Sequence, residues 1–242
     1  MIIRVGTSGW SYDHWEGVLY PPGLPAADRL RRYVQEFSTV ELNASFYRWP
    51  RDSTFAGWRH RLPEGFTMSV KAPRGLTHAK RLYGPEAWSQ RMARSWHELR
   101  GRREALLVQL RPDQQRDDAR LDHFLRSLPD WVRVAVELRH PSWVDDAVFA
   151  MLERHGAAYC VTSGAGLPCV LRATAPVVYV RMHGPDHHHL YAGSYSDDDL
   201  RWWADRVREW SGQGRDVLVY FNNDGGGNAV HNARTLRGLL GV

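Results

Sequence analysis

The sequence predicts an α/β fold, specifically a (β/α)8 barrel of the TIM type, on three observations. Eight short segments alternate apolar with polar residues as strands do, and amphipathic helical patterns separate most of them. Strands that alternate with helices favour a parallel sheet with right-handed crossovers, and eight strands favour closure of that sheet. The length of 242 residues suits one such barrel, which typically has about 250 residues. An open, doubly wound sheet is the alternative.

In each predicted strand, every second residue is apolar throughout, and the residues between them become polar toward the C-terminal end. These two alternating sets are called the apolar and the polar parity. The strands lie at about residues 2–7, 38–43, 66–72, 105–110, 132–138, 157–162, 177–183 and 216–222. A strand that is covered by helices on one face and packed inside a barrel on the other has this pattern. The polar positions are then expected at the mouth of the barrel.

The predicted helices are recognised by apolar residues at helical spacing. They lie around residues 30–37, 55–58, 88–99, 121–128, 143–155, 202–210 and 229–240. Between strands six and seven, Gly164, Gly166, Pro168 and Pro176 favour a loop. We therefore predict that the helix after strand six is irregular or missing. Because the sequence has no linker and no repeat, residues 1–242 are predicted to form a single domain.

The fifth strand leads into the densest group of reactive side chains. Glu137 and Arg139 lie on its polar parity, and Pro141 ends the strand. A proline disfavours the helical conformation in the preceding residue, so His140 is expected to be extended. An acid, a guanidinium and an imidazole are therefore predicted close together.

Active sites of TIM-type barrels lie at the C-terminal ends of the strands. The polar parity places Glu41, Asn43, Lys71, Gln109, Glu137, Arg139, Arg181, His183 and Asn222 there. Such a set can perform acid/base chemistry on an anionic substrate. The candidate catalytic residues are Glu137, Lys71, His183, Glu41 and His140. The alternative is a structural ionic layer to which no reaction is attached.

Lys71 is unusual because the chain has only one other lysine, Lys80, among many arginines. If Lys71 lies between Glu41 and Glu137, the negative charge keeps its amine protonated, in an electrostatic role. An apolar pocket would instead lower the pKa of the amine and permit Schiff-base chemistry. We favour the protonated, electrostatic role.

Aromatic and polar residues on the same loops predict the walls of a binding pocket. The candidate substrate-binding residues are Trp10, Tyr12, Asn43, Tyr47, Gln109, Arg139, Arg181, Asn222, Asn223 and Gly225. Glycines at 225–227 precede a predicted helix, where backbone N–H groups and the helix N-terminus favour an anion. With Arg181 and His183 from the preceding strand, these groups predict an anion site between the last two loops.

The bulk composition limits the functional classes. The formal charge of +5 is modestly favourable for phosphates. No apolar run is long enough to span a membrane, and a strand at the N-terminus leaves no room for a signal peptide, so a cytoplasmic location is expected. Cys160 and Cys169 are expected as reduced thiols. No cofactor is predicted, although a divalent metal is not excluded; the run His187–His189 favours an exposed loop over a metal site.

Six motifs, in this order and spacing, resemble the signatures of the YecE-like family of unknown function. They are Gly6 to Tyr12, Thr39 to Tyr47, Val70 to His78, Val136 to Trp143, Arg181 to Gly184 and Val219 to Asn223. The resemblance covers almost the entire chain and implies a TIM-type barrel without an established activity. Two departures are Val161–Ser163, where an aspartate is expected, and Arg111, where the family more often has proline.

The sequence thus predicts an enzyme of the hydrolase or lyase type that acts on a small anionic or phosphorylated substrate at the barrel mouth. One alternative is a protein that binds or processes nucleic acid, in which aromatic side chains and the arginines Arg48, Arg51 and Arg74 stack on bases and bind the backbone. A second alternative is a non-catalytic ligand-binding barrel. The oligomeric state is left open.

Overall fold

Eight parallel strands form the sheet at the centre of the protein. The structure, a computed structural model, describes residues 1–186 and 188–242. The strands are β1 Ile3–Thr7, β2 Thr39–Leu42, β3 Thr67–Lys71, β4 Arg103–Gln109, β5 Val134–Glu137, β6 Ala158–Ser163, β7 Val177–Met182 and β8 Asp216–Phe221. They pair in the order β1-β8-β7-β6-β5-β4-β3-β2. The predicted (β/α)8 barrel is confirmed, and each strand lies close to its predicted position.

Helices follow most strands and cover the outside of the barrel. They are α1 Ala26–Tyr33, α2 Asp52–Arg61, α3 Glu86–His97, α4 Asp118–Arg126, α5 Asp146–Arg154, α6 Asp197–Gly212 and α7 Asn228–Leu240. Side-chain caps fix several N-termini: Asp117 accepts from Arg120 N at the start of α4, and Ser196 and Asp199 form a capping box on α6. Residues 164–176 form no helix between β6 and β7, which confirms the predicted missing helix.

The inside of the barrel has a small core of its own, separate from the larger core between strands and helices. Its members are Ala105, Leu107, Ala135, Ala158, Cys160, Ala175, Val177, Tyr179, Leu218 and Tyr220. The small residues leave room for Tyr179 and Tyr220, whose ring centroids lie 5.2 Å apart. The Tyr220 hydroxyl forms hydrogen bonds with Thr39 and Ser69 at 2.8 and 2.9 Å. This layer closes the barrel below its mouth.

The barrel closes between β1 and β2 through a narrow seam. An isolated parallel bridge joins Ser8 to Glu41 just beyond the end of β1. Gly6 permits the close approach, because a Cβ atom at this position would lie 2.4 Å from the carbonyl oxygen of Thr39. The hydroxyl of Tyr33, on α1, donates a hydrogen bond of 3.0 Å to the same carbonyl. Helix α1 therefore supports the seam from outside.

The histidine run after β7 is described only in part. His187 lies outside the described residues, whereas His188 and His189 are exposed. Their backbone N–H groups both donate to Asp186 Oδ1 at 2.7 Å. Among the helices of the described ranges, none combines the length and the apolar character required to cross a membrane.

The seam predicts a difference between two glycine substitutions. Gly6→Ala should lower the free energy of unfolding by about 1–3 kcal/mol, because the added methyl group meets backbone that cannot move without opening the seam. Gly57→Ala is the control: Gly57 lies inside α2 with no atom within 4 Å of its Cβ position, and alanine should stabilise the helix by about 0.5–1 kcal/mol. Urea unfolding of both variants tests this. Equal stability of Gly6→Ala and wild type would contradict it.

Candidate active site

Arg181 lies between two carboxylates at the mouth of the barrel. It projects from the end of β7, and its Nε and Nη2 donate to Glu41 on β2 at 3.0 and 2.7 Å. Its Nη1 donates to Glu137 on β5 at 2.7 Å. All three side chains are fully buried. Three strands that are not neighbours in the sheet are thus connected across the barrel.

Glu137 has further partners from the neighbouring strands. Arg139 Nε donates to Glu137 Oε1 at 2.7 Å, and Gln109 Nε2 donates to the same oxygen at 3.0 Å. His183 Nε2 lies 3.5 Å from this oxygen. Glu41, Glu137, Arg139, Arg181 and His183 are called the ionic cluster below.

Two neighbours of Glu41 were not anticipated from the sequence. The hydroxyl of Ser8 donates to Glu41 Oε1, and the hydroxyl of Tyr179 donates to Oε2 at 2.6 Å. Tyr179 is not among the residues that the sequence predicts for the site. Its parity is the same as that of Arg181, so the inward direction of its side chain could have been inferred.

The two carboxylates of the ionic cluster remain ionised. Burial alone would raise the pKa of Glu41, but Arg181 and the hydroxyl donors outweigh burial and lower it. Burial also opposes ionisation of Glu137, but Arg139 and Arg181 hold its pKa well below the usual value. A carboxylate with such a low pKa is a weak proton acceptor at neutral pH. The acid/base role predicted for Glu137 therefore does not fit its surroundings.

His183 is neutral in this arrangement. Burial, followed by the charge of Arg181, lowers its pKa to about 4. Asn222 Nδ2 lies 3.1 Å from Nδ1 of the imidazole, so Nδ1 accepts and Nε2 carries the proton that faces Glu137. His183 is thus a neighbour of Glu137, yet the imidazole is fully buried and does not line the cavity described next.

A cavity of about 580 Å³ opens above the ionic cluster and is called the mouth cavity here. Six of the predicted site residues line it: Trp10, Tyr12, Asn43, Tyr47, Lys71 and Asn222. Arg48, which the sequence suggested only for the nucleic-acid alternative, lines it as well, and so does Asp224, which was not among the candidate residues. The aromatic loops after β1 and β2 thus form one wall, and the loop after β8 contributes the other. The volume is typical of a small-molecule site.

Lys71 ends β3 at the mouth cavity, and its side chain is 6% exposed. Its Nζ lies 4.2 Å from the centroid of the Phe46 ring. Burial, followed by the positive charge of Arg181, lowers the pKa of the amine to about 7, although Glu137 and Glu41 act in the opposite direction. The expectation that the two glutamates flank Lys71 and keep it protonated is not met, because Arg181 occupies the position between them.

The remaining candidate residues lie apart from the mouth cavity. His140 is extended as predicted (φ −88°, ψ 136°), but its ring accepts from Ser142 N and caps a short turn. Asn223 is fully buried and donates to Gly193 O and to Asn232, which anchors the loop. Gly225 is exposed and does not line the cavity.

The anion site predicted between the last two loops loses its main side-chain donor. Arg181 is the key donor in that prediction, but its three guanidinium nitrogens are occupied by Glu41, Glu137 and Ser8. The backbone N–H of Gly184 donates to the Tyr195 hydroxyl at 2.9 Å. Arg181 and the Gly184 N–H are thus used inside the protein. Across residues 1–186 and 188–242, no group of three or more His, Cys, Asp and Glu residues is placed to hold a metal ion.

The fold and the site together define a TIM-type barrel protein with buried ion pairs beneath an open mouth cavity. The model of the family described as "Protein of unknown function DUF72" matches residues 4–242. The chain belongs to this DUF72 family, and the resemblance to the YecE-like family is confirmed by the relatives below.

The chain is similar to curated and solved members of this family. It is 28% identical to the UPF0759 protein YunF of Bacillus subtilis, in a match that covers 100% of this chain and 95% of that protein. It is 27% identical to the UPF0759 protein YecE of Escherichia coli K12 over 59% of this chain and 50% of that protein. A DUF72 family crystal structure from Thermotoga maritima, 28% identical, superposes with a TM-score of 0.91 over all of both chains. A second, from Enterococcus faecalis, has a TM-score of 0.86 at 21% identity over 100% of this chain and 96% of that one, and supports the fold alone.

The ionic cluster predicts a pH-dependent loss of stability. Arg181→Met removes the guanidinium partner of Glu41 and one of those of Glu137, and should cost about 3–5 kcal/mol at pH 7. In wild type, the lowered pKa values add stability that is present above the unfolded pKa of about 4.3 and lost as pH falls. In the variant, the buried carboxylates lose that stabilisation. The difference in free energy of unfolding between the two proteins should therefore shrink toward pH 4.

Unfolding of Arg181→Met and wild type in urea, measured from pH 7 down to about pH 4, checks this expectation. Arg201→Met is the control, since Arg201 forms an exposed pair with Asp198 on α6 and should change stability little. A small cost at pH 7, or a cost that stays constant with pH, would contradict the proposed electrostatics.

Proposed function

We propose that the protein is an enzyme of the lyase or hydrolase type that binds a small anionic substrate in the mouth cavity and uses Lys71 as its reacting amine. The observation that carries this proposal is that Lys71 lines the cavity with a pKa of about 7. An amine with such a pKa is present at neutral pH both as the free base and as the ammonium ion. It can therefore act as a nucleophile or exchange a proton with a substrate.

In this proposal the ionic cluster acts on the substrate only through Lys71. Glu41 and Glu137 are bound by arginines and lie beneath the cavity. Arg181 is the largest single charge that lowers the pKa of Lys71. The role predicted from the sequence for Glu137 as acid or base thus passes to Lys71, and Glu41, Glu137 and Arg181 become positioning residues.

Arg48 is the residue that we propose binds the anionic group of the substrate. It follows β2, lines the mouth cavity and is exposed. Among the described residues no carboxylate oxygen lies within 4.0 Å of its guanidinium, so its charge is available to a ligand. The net charge of +5 favours the approach of an anion.

Nucleic-acid binding is the second candidate function, and one observation favours it. Tyr47, beside Arg48 at the rim of the mouth cavity, is 72% exposed, as expected of a side chain that stacks on an unpaired base. The volume of the cavity beneath the rim favours a small molecule. A non-catalytic ligand-binding barrel would use the same cavity without involvement of Lys71.

Three further sequence-based predictions belong to this proposal. We propose that residues 1–242 form one domain. We also propose that the reaction requires no cofactor, with a divalent metal as the alternative, and that the protein acts in the cytoplasm. The free thiol of the exposed Cys169 is compatible with a reducing compartment.

The first test measures the ionisation of Lys71 directly. Reductive methylation with formaldehyde, followed by peptide mass analysis, reports on both lysines in one experiment, because Lys71 and Lys80 are the only two. Labelling of Lys71 should rise with a midpoint near pH 7, and in the denatured protein the midpoint should move to about 10.4. Exposed Lys80 controls for reagent activity at each pH. A midpoint for native Lys71 near that of the denatured protein would remove the basis of the proposal.

The second test distinguishes the candidate functions. Small carboxylates and phosphates that raise the melting temperature are followed for turnover with wild type, Lys71→Met and Lys80→Met. Lys71→Met should lose at least about 100-fold in rate, and Lys80→Met should not change. Binding that survives in Lys71→Met without turnover by wild type supports the ligand-binding barrel. Oligonucleotide binding whose affinity falls steeply with salt supports the second candidate.

A further inference from the structure

We propose that the substrate is an aldehyde or ketone that carries a carboxylate or phosphate group. Its carbonyl carbon forms an imine with Lys71 Nζ, and Arg48 binds its anionic group. This inference rests on the proposed function and adds to it a class of substrate and the first bond that is made.

The surroundings of Lys71 favour a nucleophilic amine. Within the described part of the chain, no carboxylate oxygen lies within 4.0 Å of Nζ, so no ion pair holds the amine as ammonium. The Phe46 ring, whose centroid lies 4.2 Å from Nζ, acts in the opposite direction, because a cation–π contact favours the ammonium ion. The charged groups that act on it are Arg181 and Arg139, whose charges favour the free base, and Glu137 and Glu41, which act against it. Since Lys71 also lines the mouth cavity, a carbonyl compound bound there can reach it.

His78, from the segment that follows β3, is the other titratable group affected by Lys71. The imidazole shares a hydrogen bond of 2.9 Å with the Thr77 hydroxyl, and its ring packs on Phe46. Burial and the charge of Lys71 lower its pKa to about 4. His78 is therefore neutral at the pH at which Lys71 titrates and adds no positive charge beside the amine.

The mouth cavity is charged asymmetrically. Arg48 stands on the wall formed by the loop after β2, and Asp224 stands on the wall formed by the loop after β8. His14 is a neighbour of Asp224, with Nε2 3.4 Å from Oδ2. A substrate with an anionic group is repelled by Asp224 and attracted by Arg48, so its anionic end is directed toward β2. Its other end is then free to meet Lys71.

Asn43 supplies an unused acceptor in the same cavity. Its Oδ1 is buried and has no hydrogen-bond partner among the described residues, although the residue lines the cavity. A buried acceptor without a partner is costly and is usually satisfied by water or a ligand. The hydroxyl of the first addition product of an amine and a carbonyl is a donor that can satisfy it.

The step consumes one proton, which solvent supplies, and needs no other reactant. The lone pair of neutral Nζ forms a bond to the carbonyl carbon, and a proton moves from nitrogen to the oxygen to give a carbinolamine. Protonation of the hydroxyl and loss of one water molecule break the C–O bond and leave a protonated imine. Its positive nitrogen withdraws electrons from the bonds of the adjacent carbon. Cleavage at that carbon is chemistry of the lyase type.

The test traps the imine by reduction. The protein is incubated near pH 7 with sodium cyanoborohydride and one of three probes: pyruvate, glycolaldehyde phosphate or uncharged propanal. Hydride addition to the imine carbon gives a stable secondary amine, which peptide mass analysis locates at Lys71 or Lys80. Both anionic probes should modify Lys71 at least about tenfold faster than Lys80.

Matched variants test the role assigned to Arg48. Arg48→Met should slow trapping of the anionic probes about tenfold, as expected for loss of one charge-assisted interaction, and leave propanal unaffected. Arg51→Met is the control, because Arg51 is exposed but does not line the cavity. Lys71→Met and Lys71→Arg, each checked for a melting curve like that of wild type, should abolish trapping at position 71.

The outcomes separate this inference from the proposed function. Equal modification of Lys71 and Lys80 overturns the imine, and an Arg48→Met variant that behaves like Arg51→Met overturns the anion site. If Lys71 methylates with a midpoint near pH 7 but traps no carbonyl probe, the proposed function stands with Lys71 as a base, and only this inference fails. If the methylation midpoint is that of an ordinary lysine, about 10.4, both fail.

Discussion

The burial of one guanidinium between two carboxylates determines the organisation of the barrel mouth. Arg181 reaches across the barrel from β7 to Glu41 on β2 and Glu137 on β5, and none of the three is exposed. Buried charges are tolerated only when each is paired and hydrogen-bonded. Ser8, Tyr179, Gln109 and Arg139 meet that requirement for the oxygens of the carboxylates. Such a network defines how the ends of the strands are positioned relative to one another.

Pairing within the ionic cluster has an electrostatic consequence for the one lysine of the mouth. Two arginines balance two glutamates, so no negative charge is left over to stabilise an ammonium ion at position 71. Burial then dominates, and the amine becomes the group whose ionisation changes near neutral pH. The carboxylates, which are the obvious acid/base candidates by residue type, are held in one charge state. Because the charges of the ionic cluster balance, Lys71 and not a glutamate is the group that can exchange a proton near neutral pH.

The fold could be predicted from the sequence because strand parity and helical spacing are local properties. Parity also predicted correctly that Glu41, Glu137 and Arg181 share the mouth. It could not predict which cation lies between the carboxylates, because that depends on how far an arginine from β7 reaches across the barrel. The side-chain contacts of the loop after β8 were harder still to predict. Asn223 donates a hydrogen bond to Asn232 on α7, a contact that no sequence pattern signals. Loops are positioned by such distant contacts, and their side chains cannot be assigned from alternation.

Glu41 has two structural roles at the seam between β1 and β2. Its backbone forms the bridge to Ser8 that closes the barrel, and its side chain carries half of the negative charge bound by Arg181. A fluctuation that separates the two strands would therefore also withdraw a counter-ion from Arg181. The uncompensated guanidinium would then depress the pKa of Lys71 further. Opening of the seam is therefore coupled to the protonation of Lys71 on β3. Amide hydrogen exchange at Gly9, whose N–H donates to the carbonyl oxygen of Glu41, reports on that opening.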